Sequence, residues 1–323
     1  MTAVLRVLQV MRSAGIEPTR AHAPQRVGHS INEVWAVGDH IVRINPVPHS
    51  RRLQDEARLL LYLPAEAHAP VPVAAGAAPW GEWAVTMRLP GSALAQLWSD
   101  LDQPSRRRAI TDIGRSLAAL HKVVAPSQLC AGDPDRCPHP LPVPRLLRLL
   151  ADAADLPGVD RKVFGDAAER LVGYTDYIDP VDTTLVHGDL HLENVLAARD
   201  GTVTGILDFE WARPGPPDLD LDVLLHSLSN PSLHHDTGAG GRLHRGDFDA
   251  VTRWLREAYP ALFDQPHLAE RLWVYRLAYD VADLLANPPR PGTTLTATPA
   301  HHPYRRIARH VEGRHDLDWF LTG

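Results

Sequence analysis

The sequence predicts an α+β fold of two lobes, a small β-rich lobe followed by a larger, mainly helical lobe. Three observations support this prediction. The first ~90 residues alternate apolar and polar positions in several short runs, as strands do. Beyond Pro90-Gly91, a pair typical of a break between elements, the apolar spacing is mostly helical. The length of 323 residues also exceeds what one small core organises. We therefore expect an N-terminal lobe at 1–90 and a C-terminal lobe at 91–323.

The predicted N-terminal lobe opens with an amphipathic helix that ends at Gly15. Its expected buried side consists of Val4, Leu5, Leu8 and Met11. EVWAV and HIVRI alternate on either side of Gly38-Asp39, which predicts a hairpin with a two-residue turn. RRLQDEARLLLYL then predicts a helix whose apolar residues share one spacing: Leu53, Ala57, Leu60 and Leu61. PVPVAAG and EWAVTMR predict two further strands.

The predicted C-terminal lobe is a series of helices with a short β-rich interruption. Helical spacing is found at 104–122, 144–154, 160–178, 219–229, 247–258 and 266–286. TLVH, NVLAA and VTGILD predict short strands between the third and fourth of these helices, with a turn at Asp200-Gly201. The Pro/Thr-rich segment 288–303 predicts an extended loop before a final helix.

Composition excludes several classes of function. The net charge is −6 and no basic stripe occurs, so we expect no nucleic-acid partner. No apolar run approaches the roughly 20 residues that span a bilayer, so we expect no membrane segment. The N-terminus lacks the pattern of a secretory signal, and this predicts a cytoplasmic protein. Cys130 and Cys137 are then expected to be free thiols or an incidental pair.

One group of polar residues stands between apolar pairs, in LVHGDLHLENVL at 185–196. Phosphoryl transfer needs a carboxylate aimed at the acceptor hydroxyl, oxygen ligands for Mg²⁺ and a cation near the phosphates. Asp189 is followed five residues later by Asn194, and Asp208 follows a strand-like run fourteen residues further on. The spacing of the first pair is similar to that of the protein-kinase catalytic loop.

HGDLHLEN, ILDFE and GPPDLDLD, which begin at residues 187, 206 and 215, resemble the aminoglycoside phosphotransferase and choline-kinase-like family. The resemblance implies a protein-kinase-like two-lobed fold and a small-molecule kinase that uses Mg²⁺ with ATP or GTP. It implies Asp189 as catalytic base, Asn194 and Asp208 as metal ligands, and His187 as a structural residue of the loop. Glu210 stands where protein kinases have glycine, which favours the small-molecule branch.

The resemblance also implies nucleotide-binding residues in the N-terminal lobe. No lysine occurs in the first 121 residues, so the phosphate-binding cation is expected to be Arg43, paired with Glu56. Arginine is always charged and offers a fork of donors, so it suits this task without being equivalent to lysine. Ser30 lies where a loop would cover the phosphates. Met87 and Leu89 lie where the backbone would bind the nucleobase.

The acceptor is expected to be a small-molecule alcohol. Residues 205–285 contain thirteen acidic and seven basic side chains, which form either a solvated surface or a wall facing a cationic acceptor. The second interpretation favours an aminoglycoside or another cationic antibiotic, and hence antibiotic resistance. The wall would comprise Asp222, Asp236, Glu257, Glu270, Asp280, Asp283, Trp254, Trp273, Tyr275 and Tyr279. Trp273 and Tyr279 fit a helix core equally well. Choline-like, amino-acid and sugar alcohols remain alternative acceptors.

Two further functions compete with a kinase. Asp189 and His191 could belong to a dinuclear metallophosphoesterase, but that chemistry needs more histidine clusters, and the other histidines are scattered. A nucleotide-binding pseudokinase is disfavoured because the base and metal positions are all filled. Metal content and turnover would separate these alternatives.

Overall fold

The computed structural model describes residues 2–17, 23–29, 32–47, 49–124, 142–178, 183–231, 243–290, 292, 294–314 and 317. Ser30, Cys130, Cys137 and Asp236 lie outside these ranges. The chain forms two compact units. The first contains residues 1–132, 184–214 and 235–243, and the second contains 133–183, 215–234 and 244–323.

The first unit is built on a five-stranded antiparallel sheet with the order β1-β2-β3-β5-β4. Its strands are β1 (Gln25–His29), β2 (Glu33–Val37), β3 (His40–Asn45), β4 (Pro72–Ala78) and β5 (Gly81–Met87). The predicted hairpin is confirmed, because Val37 pairs with His40 across the Gly38-Asp39 turn. Both strands predicted after the internal helix are also present.

Helix α1 (Ala3–Ser13) packs on the sheet through Val7, Val10 and Met11. These residues contact the apolar positions of the sheet: Trp35, Val37, Val42, Ile44, Trp83 and Val85. The predicted buried side of α1 is therefore wrong for Val4 and Leu5, which are exposed. Apolar residues occur around much of the circumference of this helix. The side that packs on the sheet is the one that contains Val7, not the one that contains Val4.

Helix α2 (Arg52–Leu60) packs Leu53 and Ala57 against Ala84 of β5. Ala84 alternates with Trp83 and Val85, which contact α1, so α2 covers the opposite face of the sheet. Leu61, predicted to share the helical spacing of Leu53, Ala57 and Leu60, lies beyond the end of α2 at Leu60 and is exposed.

The rest of the first unit contains a second, three-stranded sheet in the order β6-β8-β9. Its strands are β6 (Ser92–Ala93), β8 (Val195–Ala197) and β9 (Val203–Ile206), and a separate pair joins β7 (Thr184–Val186) to β10 (Arg213–Gly215). Two helices belong here, α3 (Leu94–Leu97) and α4 (Gln103–Leu120). The predicted turn is confirmed at Gly201, whose φ is 83° and which approaches the backbone of Ser105. β8 and β9 hold the segments before and after this turn.

The second unit is helical. It contains α5 (Val143–Ala154), α6 (Arg161–Gly173), α7 (Thr175–Ile178), α8 (Asp218–Ser229), α9 (Val251–Ala258), α10 (Leu268–Ala286) and α11 (Pro303–Val311). The helix predicted at 160–178 is broken at Tyr174. The helix predicted from 247 begins at Val251, because His244 and Asp247 cap a separate 3₁₀ turn. A β-rich beginning followed by helices confirms the predicted α+β class.

Candidate active site

Arg43 is the centre of a polar cluster in the first unit. It lies on β3 between Val42 and Ile44, which contact α1, so its side chain is directed toward α2. Its Nη1 donates to both carboxylate oxygens of Glu56, at 2.8 and 2.6 Å, and its Nη2 donates to Oδ1 of Asp208 at 2.7 Å. Charge-assisted bonds of this kind are the strong ones in proteins. The structure thus brings Asp208 together with Arg43 and Glu56, the pair that the resemblance implied.

Asp208 follows β9 in a left-handed conformation, with φ 68° and ψ 59°. Few residues other than glycine adopt this conformation readily, although aspartate tolerates it. The turn directs the next peptide N–H, that of Phe209, to Oε1 of Glu56 at 3.0 Å. Glu56 therefore accepts from Arg43 and Phe209 together, and these contacts stabilise the strained turn.

Glu210 is a third carboxylate on Arg43, with Oε2 at 3.4 Å from Nη2. The same oxygen accepts from Nδ2 of Asn32 at 3.1 Å, and the Glu210 side chain is 4% exposed. Burial and the charge of Asp208 raise the pKa of Glu210. Sequence reasoning used Glu210 only to separate branches of a family and missed Asn32. The Asp-Phe-Glu spacing carried a signal for Glu210, whereas nothing in the sequence pointed to Asn32.

The cluster places one guanidinium among three carboxylates. The pKa of Glu56 is raised to about 7: burial is the largest cause, Arg43 acts in the opposite direction, and Asp208 and Glu210 add to the increase. Burial alone would lower the pKa of Arg43, but the three carboxylates outweigh it and raise that pKa above its ordinary value. Arg43 therefore stays charged, and the cluster retains a negative surplus that favours binding of a further cation.

His187 fixes the loop that carries Asp189. The Asp189 N–H donates to Nδ1 of His187 at 3.2 Å, so the histidine proton lies on Nε2, which donates to the Leu207 carbonyl at 2.9 Å. The Leu207 N–H in turn donates to the Asn194 carbonyl at 2.7 Å. Both peptide groups of Leu207 are thus bonded to the 187–194 loop. Asp208 is the next residue, so the loop and the turn at Asp208 are held together.

Gly188 is required where the loop passes the segment after Asp208. Its φ is 80°, and a Cβ there would lie 2.5 Å from the Trp211 carbonyl and 2.3 Å from Nη1 of Arg213. Both distances are shorter than real Cβ contacts, and a positive φ disfavours other residues as well. Close packing against Trp211 and Arg213 therefore explains why the H-G-D motif has glycine at this position.

Asp189 and Asn194 are in contact within the loop. Nδ2 of Asn194 donates to the Asp189 carbonyl at 2.9 Å and approaches Oδ2 at 3.4 Å. Nε2 of His191 lies 3.7 Å from the same carboxylate, and although burial lowers the pKa of His191, Asp189 and neighbouring carboxylates raise it on balance. The Asp189 side chain is 36% exposed, so its carboxylate is open to an incoming hydroxyl.

Oxygen donors at Asp208 and Asn194 fit Mg²⁺, which prefers carboxylate and amide oxygens. Glu56, Asp208 and Glu210 present oxygens within 4.8 Å of one another, but Arg43 is already their common partner. Glu56 and Glu210 are nearly inaccessible, at 5% and 4% exposure, whereas Asp208 is 32% exposed and gives only Oδ1 to Arg43. The accessible side of Asp208 is therefore the part of the cluster best suited to a metal ion.

The two residues predicted to contact a nucleobase differ in their free backbone groups. The Met87 N–H already donates to the Val71 carbonyl at 2.9 Å. No described residue accepts from the Leu89 N–H, and the Leu89 side chain lies against Gly205, where a Cβ would be 2.5 Å from its Cδ1. Leu89 therefore keeps a donor that Met87 lacks.

The predicted acidic wall is wrong for Asp222 and Asp280, which are buried in the second unit, whereas Asp283 is partly exposed but also ion-paired. Asp222 is fully buried and bonds to Arg276, and Asp280 and Asp283 bond to Arg306 at 2.9 and 2.7 Å. The aromatic members of the wall are buried as well: Trp254, Trp273 and Tyr275. Net charge along a sequence could not show this, because Asp222, Asp280 and Asp283 are each paired with an arginine on a different helix.

A sequence model of the phosphotransferase enzyme family matches residues 23–258, nearly three quarters of the chain. The chain belongs to this family. Membership confirms the predicted resemblance and makes the protein a small-molecule kinase rather than a dinuclear metallophosphoesterase.

Solved structures of phosphotransferases share the fold. Wild-type aminoglycoside 2'-phosphotransferase-IIIa in its GDP complex is 17% identical, with a TM-score of 0.63 over 97% of this chain and 98% of that one. Aminoglycoside phosphotransferase APH(3'')-Id from Streptomyces rimosus is 18% identical, with a TM-score of 0.55 over 87% and 98%. Amicoumacin kinase hAmiN with AMP-PNP, Ca²⁺ and Ami is 14% identical, with a TM-score of 0.61 over 100% of both chains. No curated protein matches the sequence significantly.

Proposed function

We propose that the protein transfers the γ-phosphate of ATP or GTP to a hydroxyl group of a small molecule. The observation that carries this proposal is the pair of hydrogen bonds between Leu207 and the 187–194 loop. These bonds join the candidate base, Asp189, to the turn at Asp208, and Asp208 is itself bonded to Arg43. Phosphoryl transfer depends on positioning and electrostatics, and a rigid link between these groups supplies positioning.

Asp189 would accept the proton of the acceptor hydroxyl as its oxygen attacks the γ-phosphorus. The new O–P bond forms while the bond to the β–γ bridging oxygen breaks, and a nucleoside diphosphate leaves. Asn194 and Asp208 would hold Mg²⁺, which neutralises phosphate charge when bound. Arg43 keeps Asp208 in its left-handed turn and offers a cation to the phosphates.

We assign nucleotide binding to a lobe at 1–90 and the catalytic loop and acceptor site to a lobe at 91–323. The unused N–H of Leu89, two residues beyond β5, supports this residue as the donor to the nucleobase. Met87 would contribute through its side chain, which is partly exposed. Ser30 remains the proposed phosphate contact on the basis of its sequence position.

An aminoglycoside or another cationic antibiotic is the first acceptor class to test. Support comes from the relatives, which include aminoglycoside phosphotransferases and an amicoumacin kinase. The predicted acidic wall does not support a cationic acceptor, because Asp222, Asp280 and Asp283 are ion-paired. Choline-like, amino-acid and sugar alcohols therefore belong in the same screen. No helix in the described ranges is long and apolar enough to cross a bilayer, and a cytoplasmic location stays a proposal.

The proposal is tested by measuring nucleoside diphosphate release with a panel of hydroxylated compounds, each with ATP and with GTP, in the presence and absence of Mg²⁺. The Asp189→Asn variant is the matched control, since it keeps the size and polarity of the side chain. We expect Mg²⁺-dependent release that this variant abolishes. Thermal shifts with each nucleotide identify the donor independently of the acceptor. Release that persists in the variant, or a protein that binds neither nucleotide, refutes the proposal.

A further inference from the structure

Helix α2 begins without a capping side chain of its own. Its N-cap residue is Arg51, which makes no capping hydrogen bond. The first turn is instead bonded by Glu82 of β5, whose Oε2 accepts from the Leu53 N–H at 3.1 Å and the Gln54 N–H at 3.3 Å. A carboxylate at this end of a helix satisfies otherwise unbonded N–H groups and interacts favourably with the helix dipole.

Glu82 is held on the sheet side as firmly as on the helix side. It is 1% exposed, and its second oxygen accepts from Nδ2 of Asn45, its partner across β3 and β5, at 3.2 Å. Asn45 is fixed in turn, because its Oδ1 accepts from the Val47 N–H and its Nδ2 donates to Ser50, both at 3.0 Å. Glu82 therefore joins the central strands to the first turn of α2.

One helical turn separates this anchor from the candidate active site. Glu56 follows Leu53 by three residues, and it accepts from Arg43 and from the Phe209 N–H. A shift of the α2 N-terminus would carry Glu56 with it, and a misplacement of about 1 Å in a catalytic site can cost a hundredfold in rate.

We propose that Glu82 is a positioning residue for phosphoryl transfer, acting through α2 to hold Glu56 on Arg43 and on the turn at Asp208. This inference rests on the proposed function, and it adds a residue that contacts neither phosphate nor acceptor. Loss of the anchor should weaken binding of the Mg²⁺-nucleotide, whose groups depend on the cluster. The acceptor should bind as before, because Asp189 is held by His187 and Leu207 instead.

The test replaces Glu82 by glutamine, which keeps the shape of the side chain. Glutamine has one oxygen and one NH₂ group where glutamate has two oxygens. The NH₂ group would face a donor, either Nδ2 of Asn45 or the N–H groups of Leu53 and Gln54, so the hydrogen bonding to the strand or to α2 is lost. We expect the KM for the Mg²⁺-nucleotide to rise about tenfold or more while the KM for the acceptor changes less than twofold. Hydrogen exchange at the Leu53 and Gln54 amides should accelerate, which reports on the anchor without any turnover.

The double variant Glu82→Gln with Asn45→Asp exchanges the donor and the acceptor between the two positions and conserves the total charge. In this double variant the KM for the Mg²⁺-nucleotide should return most of the way to the wild-type value. Asp102→Asn is the matched control, because Asp102 caps α4 by accepting from the Ser105 N–H at 2.9 Å and makes no contact with the cluster. It should lower stability slightly and leave both KM values unchanged.

Three outcomes overturn the inference: an unchanged nucleotide KM in Glu82→Gln, equal increases for nucleotide and acceptor, or an equal increase in the Asp102→Asn control. Failure of the proposed function looks different, since wild-type protein would then show no Mg²⁺-nucleotide binding. If Glu82→Gln unfolds and the double variant refolds without recovering nucleotide binding, the anchor serves folding alone and the inference is wrong.

Discussion

Replacing Arg43 by methionine removes the cation that three carboxylates share while keeping an unbranched stem in place of the arginine stem. In the native protein its guanidinium contacts Glu56, Asp208 and Glu210. Glu56 and Glu210 are almost fully buried, so water cannot replace the lost partner. We expect a large loss of stability that depends on pH.

The magnitude follows from the geometry of the cluster. The carboxylate oxygens lie within 4.8 Å of one another, and two unit charges at that distance repel by about 3.5 kcal/mol at an effective dielectric constant of about 20. Breaking a buried ion pair typically costs about 3–5 kcal/mol. Protonation limits the loss, because the pKa values of Glu56 and Glu210 are already raised and would rise further. In the Arg43→Met variant, Glu56 and Glu210 then hold protons in the native state at pH values where they have lost them in the unfolded chain. The free energy of unfolding of the variant therefore falls as pH rises from the ordinary glutamate pKa toward the raised values.

Urea unfolding at several pH values between about 5.5 and 8.5 measures this effect. The difference in free energy of unfolding between wild type and Arg43→Met should be about 3–5 kcal/mol at the alkaline end and clearly smaller at the acidic end. Arg43→Lys is the control, since it keeps the charge but offers one nitrogen instead of a fork, and its pH dependence should stay near that of wild type. A loss in Arg43→Met that is the same at every pH would refute the electrostatic account.

Further predictions concern individual contacts. Asp189→Asn should lower kcat by about 10²–10⁴ with nucleotide affinity within about twofold, measured by turnover and thermal shift; retained turnover contradicts the base assignment. Asp208→Asn should weaken Mg²⁺-nucleotide binding about tenfold or more, measured by titration calorimetry, and an unchanged Mg²⁺ requirement counts against its role. Gly188→Ala should destabilise the protein by about 1–3 kcal/mol in urea unfolding, because its Cβ would meet Trp211 and Arg213. Arg271→Leu should cost about 3–5 kcal/mol in the same assay, because Asp218 accepts two bonds from Arg271 in a fully buried pair; a loss under 1 kcal/mol would show that Asp218 finds another partner.

The sequence predicted the fold class and most elements because their signals are local. Alternation around Gly38-Asp39 and helical spacing in α2 need no knowledge of the rest of the chain. The errors occur where tertiary packing decides. Val4 and Val7 are equally apolar, and only the position of the sheet shows which one α1 buries. Tyr174 interrupts a helix whose spacing continues on both sides.

The candidate site divides in the same way. Asp189, Asn194 and Asp208 could be named from spacing, since the loop and the strand turn are short and contiguous. Arg43 and Glu56 required the resemblance to a family as well. Asn32 contributes only after the chain has folded, because it meets Glu210 across 178 positions. The acidic charge of the 205–285 segment led to the wrong prediction of an acidic wall for a related reason. A net charge summed along the sequence does not show which carboxylates pair with arginines on other helices.

The arginine at the centre of the carboxylate cluster has a consequence for covalent labelling of the protein. If the nucleotide binds at this cluster as proposed, analogues that acylate an active-site amine would meet a guanidinium there, which stays protonated and is a poor nucleophile. The only lysines in the chain are Lys122 and Lys162, and neither belongs to the cluster. Under the proposed function, labelling reagents that depend on an amine in the nucleotide site would therefore not react with this cluster.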